Sequence, residues 1–168
     1  MIRSRLFQAA LAAVLVWPAM ALAGDWIGDA KTGCKIWNPH PSPGETVNWN
    51  GACKDGFAEG KGVLHWLRGG KPYERDEGAW HGGRQSGDGT QTWPGGTYIG
   101  QLAGGLPHGN GVLTTGDARY DGAFLNGSPN GKGTLSNTSG TFSGTWQSGC
   151  LNDGKRRAAI GVPVGSCP

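Results

Sequence analysis

The side chains able to do chemistry are few and scattered. His65, His81 and His108 have neither the i, i+4 nor the short-turn spacing of a metal site. No G-x-S-x-G run presents a serine nucleophile. The stretch GFAEGKG approaches a phosphate loop, but Gly56 and Gly60 stand one residue too close, no Ser or Thr follows Lys61, and no helical pattern follows. Glu74, Asp76 and Glu77 form a charged cluster, read as a surface bulge; a working acid pair would need its carboxyls to face each other. These observations predict a non-catalytic protein with no cofactor and no bound metal.

The four cysteines, Cys34, Cys53, Cys150 and Cys167, have no zinc-finger spacing, and their even number favours two disulfides in an oxidising compartment. Counting alone allows three pairings. The N-terminus supplies the compartment. Arg3 and Arg5 precede an apolar run from Leu6 to Trp17 and the small-residue end Ala21-Leu22-Ala23, which reads as a secretory signal peptide over residues 1–23, cut after Ala23. That run is too short to span a bilayer. The expectation is a periplasmic or secreted protein.

The formal net charge of +3 falls close to zero once Arg3 and Arg5 leave. Lys155-Arg156-Arg157 is the one basic cluster. A nucleic-acid partner would call for a concentrated basic stripe, so none is expected.

Behind these residues lies a repeat. Gly78, Gly100, Gly122 and Gly144 are spaced by 22 residues, as are Gly83, Gly105, Gly127 and Gly149, and two further glycine series. An earlier copy at Gly51, Gly56, Gly60 and Gly62 is offset by 27, so about five residues around Lys71 to Arg75 are inserted. Between the glycines, a first slot holds Trp49, Asp76, Tyr98, Tyr120 and Phe142. A bulky slot holds Cys53, Trp80, Leu102, Phe124 and Trp146, and a late slot holds Leu64, Gln91, Leu113 and Leu135. Slots within each half are two apart, the period of a strand. Each copy is therefore two short strands joined by a turn at segments such as AGGLPHG and NGSPNG. The predicted fold is all-β: an elongated single-layer antiparallel sheet of tandem hairpins, in which glycine columns leave troughs for flanking rings. Asp76, where an aromatic residue belongs, is expected to weaken the sheet.

The run from Tyr98 through Gly100, Leu102, Gly105, Gly109 and Gly111 to Leu113, and its neighbour from Tyr120 through Gly122, Phe124, Gly127, Gly131 and Gly133 to Leu135, resemble MORN repeats. The resemblance covers residues 47–149 as four copies plus a half copy, and CKIWNPHPSPGETVNWNGAC resembles the leader of exported bacterial members. Such a sheet separates its first and last copies by about 35 to 40 Å, too far for a disulfide, whose Cα atoms lie within about 7 Å. Cys34 is thus expected to pair with Cys53 and Cys150 with Cys167, stapling caps over residues 24–46 and 150–168. The resemblance implies a scaffold that binds a protein partner or itself, with a membrane surface as a second candidate and an enzyme or glycan-binding protein as a third. Trp80, Trp93, Tyr98, Tyr120, Phe142 and Trp146 are the candidate binding face, some of them partly exposed along a groove.

Overall fold

Apolar and polar residues alternate along most of the chain, and strands are the result. The structure, a computed structural model, describes residues 24–152 and 157–168; the expected signal peptide, Lys155 and Arg156 lie outside them. Fourteen strands follow in order: β1 (Asp25–Gly28), β2 (Lys35–Asn38), β3 (Glu45–Trp49), β4 (Ala52–Lys54), β5 (Phe57–Arg68), β6 (Lys71–His81), β7 (Arg84–Trp93), β8 (Gly96–Ala103), β9 (Leu106–Thr115), β10 (Ala118–Leu125), β11 (Ser128–Asn137), β12 (Gly140–Gln147), β13 (Cys150–Asn152) and β14 (Arg157–Ala159). One 3-10 turn spans Val164–Ser166. From β5 onward each strand pairs antiparallel with the next, while β3 and β4 share the other edge of β5.

Strand pairing gathers the spaced glycines into one row. Gly62, Gly78, Gly89, Gly100, Gly111, Gly122, Gly133 and Gly144 stand opposite one another across β5 to β12. The parallel row two residues away reads Trp49, Leu64, Asp76, Gln91, Tyr98, Leu113, Tyr120, Leu135 and Phe142. Rings of the second row lie over the bare backbone of the first: a Cβ at Gly111 would overlap the Tyr98 ring, and one at Gly133 the Tyr120 ring. The Tyr98 hydroxyl donates to the Gln101 carbonyl at 2.6 Å and that of Tyr120 to the Ala123 carbonyl at 3.1 Å, so the polar end of each ring is satisfied. Tyr98, Phe124, Tyr120 and Trp146 then continue edge to face, with successive centroids 5.2, 5.1 and 5.1 Å apart.

The turns are tighter than the sequence segments suggested. AGGLPHG reverses at Gly104–Gly105 alone, and the rest of the segment is strand with a bulge at Gly109, where φ is +72° and Gln101 opposes an extra stretch of β9. The Asn110 N–H that the bulge releases is taken by Gln101 Oε1 at 2.8 Å. Each turn glycine also ties its hairpin to the one before: the N–H groups of Gly83, Gly105, Gly127 and Gly149 donate to the carbonyls of Ala58, Gln85, Pro107 and Pro129 at 2.9 to 3.0 Å. Bulges bend a sheet. The buried residues of the C-terminal core come from β8 to β14, with Trp93 of β7 and Ile160 packed against them.

Asp76 does not break the strand pairing: Leu64, Asp76 and Gln91 are in unbroken register. The insertion lengthens β5 and β6 to 12 and 11 residues, and a bulge beside Trp66 absorbs the odd residue. Nor are Glu74, Asp76 and Glu77 a surface bulge. The strand sends Glu74 and Asp76 to the ring face, with Asp76 buried, and Glu77 to the other face, where Arg75 pairs with it at 2.8 Å.

The ends are closed differently. At one end the β1–β2 hairpin lays Ile27 and Ile36 against Trp49, Trp66 and Trp80, and the Trp37 N–H donates to Gly83 at 2.8 Å. At the other, Leu151 and Ala158 cover the last trough above Gly144. Disulfides join Cys34 to Cys53 and Cys150 to Cys167, with Cα separations of 5.7 and 5.5 Å. Replacing both Cys150 and Cys167 with serine is expected to lower stability by about 3 kcal/mol, read from urea denaturation, because the bridge closes a short loop in the unfolded chain.

Candidate functional site

The ring row is interrupted once, and the interruption opens a groove. In the second copy Asp76 and Gln91 stand directly opposite each other where the third copy has Tyr98 and Leu113. A third departure joins them. Gln85 occupies the slot of Pro107 and Pro129, and its amide lies over the glycine row, 2.9 Å from where a Cβ on Gly89 would sit. With an amide in the trough instead of a ring, a cavity of about 450 Å³ remains, walled by Trp37, Trp66, Trp80, Trp93 and Tyr98, with Leu106 and Pro107 on the far side. Its size and its aromatic walls with a few polar groups suit a small ligand.

The polar residues of the groove form two hydrogen-bonded sets. Trp66 Nε1–H donates to Asp76 Oδ2 at 2.7 Å. Gln91 Nε2 donates to Gln85 Oε1 at 3.1 Å and to the Gly105 carbonyl at 3.0 Å, while Gln85 Nε2 donates to the Glu77 carbonyl at 3.1 Å. Asp76 is only 3% exposed. Burial, reinforced by the neighbouring Glu74 carboxylate, pushes its pKa up to about 8, and burial raises that of Glu74 as well. Asp76 therefore carries its proton at neutral pH.

Just outside, Glu45 organises the rim. Burial opposes its ionisation, but hydrogen bonds from Tyr73, Arg68, the Ser42 N–H and Asn38 outweigh this and hold its carboxyl below the ordinary value. The Arg68 guanidinium lies over the Tyr73 ring at 4.1 Å and is held by Glu45 at 2.9 Å.

Of the six rings expected to form a binding face, Trp80, Trp93 and Tyr98 line this groove. Tyr120, Phe142 and Trp146 lie away from it, in the C-terminal core. Trp93 and Phe142 are half-buried, whereas Trp80, Tyr98, Tyr120 and Trp146 are buried. Gly78, Gly100, Gly122 and Gly144 all stand in the glycine row. Sequence reasoning did not single out Gln85 or Trp66; the break in the proline slot was the available signal for Gln85. His81 is exposed and pairs with Glu59 at 3.0 Å, away from the groove. Among the described residues no group of His, Cys, Asp or Glu side chains could hold a metal ion, and no helix is long and apolar enough to cross a membrane.

The family profile of the MORN repeat matches residues 54–71, 77–97, 98–117 and 120–142, four consecutive copies coinciding with the hairpins described above. A comparison with curated proteins gave no match. The chain belongs to the MORN-repeat proteins.

Proposed function

We propose that this protein is a non-catalytic binding scaffold of the exported compartment, and that a protein partner engages it at the groove of the second copy. The observation that carries the reading is the convergence of Asp76, Gln85 and Gln91, the three polar departures of one copy, on a single aromatic-walled cavity. A repeat that only had to fold would keep the ring, because a buried aromatic side chain contributes more than a buried carboxyl. The non-catalytic reading rests on the placement of the acids. Asp76 and Glu74 are two apart on one strand and point the same way, whereas hydrolytic carboxylate pairs stand on opposite sides of the bond they cleave.

A photo-crosslinking residue placed at Trp93 and, separately, at Ile99 tests the proposal in cells. Ile99 is 56% exposed on the opposite face. A defined protein adduct is expected from Trp93 and not from Ile99. Equal labelling from both positions, or lipid adducts only, would contradict it.

A further inference from the structure

Two polar atoms in the groove are left without a partner by the fold. Among the described residues Asp76 Oδ1 meets no donor and Trp80 Nε1–H meets no acceptor, although both residues are more than nine-tenths buried and both line the cavity. Leaving a buried polar group unsatisfied is costly, so two of them in one cavity point to a ligand that supplies the missing partners. That ligand must donate to the carboxyl and accept from the indole.

Charge narrows the class. Glu74 and Asp76 both face the cavity, and His40, in the loop after β2, is the one lining residue able to carry a positive charge. The nearby arginines are engaged elsewhere: Arg68 with Glu45 and Tyr73, Arg75 with Glu77, and Arg84 over the Trp37 ring at 4.0 Å. The walls include seven aromatic side chains, whose faces attract cations and stack on apolar carbon. Two carboxyls without a counter-ion, that of Asp76 buried and that of Glu74 half-buried, inside an aromatic wall are complementary to an ammonium group.

Taking the groove as the binding site proposed above, we infer that it takes a protonated organic amine, its ammonium on the Asp76 and Glu74 carboxyls and an oxygen of the same ligand accepting from Trp80 Nε1–H. The proton that Asp76 holds in the free protein leaves as the ammonium enters, so binding releases a proton to the buffer. The same chemistry serves a free small amine and an amine displayed on a lysine side chain.

Calorimetric titration of the purified protein at neutral pH tests this, using ethanolammonium, n-butylammonium and glucosamine, each against its uncharged counterpart ethylene glycol, n-butanol or glucose. A lysine-bearing peptide against its norleucine analogue separates a displayed amine from a free one. At least one amine is expected to bind with a dissociation constant of about 1 mM or tighter, at least tenfold more tightly than its counterpart, with a heat that varies with the ionisation enthalpy of the buffer. Asp76→Asn keeps the shape of the side chain and is expected to remove that preference without lowering the urea midpoint. Trp80→Phe is expected to weaken the hydroxylated amines and to spare n-butylammonium. The inference is overturned if no amine binds in this range, or if the uncharged compounds bind equally well. Partner crosslinking at Trp93 is read separately: its persistence in an amine-blind groove overturns the ligand class alone, and its absence beside intact amine binding overturns the protein-partner reading alone.

Discussion

Gly133→Ala is expected to destabilise the protein by about 3–5 kcal/mol, as much as deleting a buried aromatic ring. The added methyl would occupy the position of the Tyr120 hydroxyl and its ring carbons. Tyr120 cannot step aside, because Phe124 and Trp146 hold its ring edge to face at 5.1 Å on two sides and it is only 1% exposed. Gly133 does not adopt a left-handed backbone, so alanine meets no conformational penalty there and the whole effect comes from the trough. Gly116→Ala is the control. Its φ is +55° and nothing lies within 4 Å of the new methyl, so it carries only the left-handed strain of about 1–2 kcal/mol. Urea denaturation of the two variants side by side checks the difference; equal losses would mean that the glycine row serves backbone freedom and not ring packing.

Stability is also expected to fall as the pH rises from 5 to 8, the reverse of the usual behaviour of buried acids held by ion pairs. The folded protein holds the Asp76 proton to about pH 8, whereas the unfolded chain releases it near the ordinary carboxyl value of 3.8. The folded state thus binds more protons between those values, so this contribution is complete below the lower one and is lost as pH climbs through the upper. One proton limits the slope to about 1.4 kcal/mol per pH unit, and Glu74, also shifted upward, acts in the same direction. Asp29 and Glu45 work oppositely. For both, burial opposes ionisation but hydrogen bonds to the carboxylate prevail, from Trp49, Thr32 and Lys31 in the case of Asp29, so their contribution is lost as the pH falls through their lowered values. A stability maximum in mildly acidic solution follows. Urea midpoints measured from pH 4 to 9 should show it, and Asp76→Asn should flatten the alkaline limb; an unchanged slope in that variant would place the titration elsewhere.

The sheet was legible because its signals are local and repeated. Period-two slots and the 22-residue spacing predicted the hairpins, the troughs under the rings and the separation that keeps Cys53 from Cys150. The bend was not legible. It depends on bulges at Gly109 and its equivalents, and sequence does not distinguish a glycine that admits a ring from one that kinks a strand. Sequence left open which of the six rings stay exposed; Tyr98 and Tyr120 are core. The groove was half legible. Asp76 and Gln91 stood out as departures from their slots, but only the register of β6 with β7 places them face to face. Glu74 enters through the insertion, where the repeat template makes no prediction, and Trp66 lies two residues past the last slot of the first copy.

The central claim is that the second copy gives up ring packing to form a binding groove. Its most direct test restores the residues of the third copy by the triple change Asp76→Tyr, Gln85→Pro and Gln91→Leu, with stability and Trp93 crosslinking measured on the same protein. A filled trough is predicted to raise the urea midpoint and abolish the partner adduct. A folded, more stable variant that still captures its partner at the wild-type level would contradict the account.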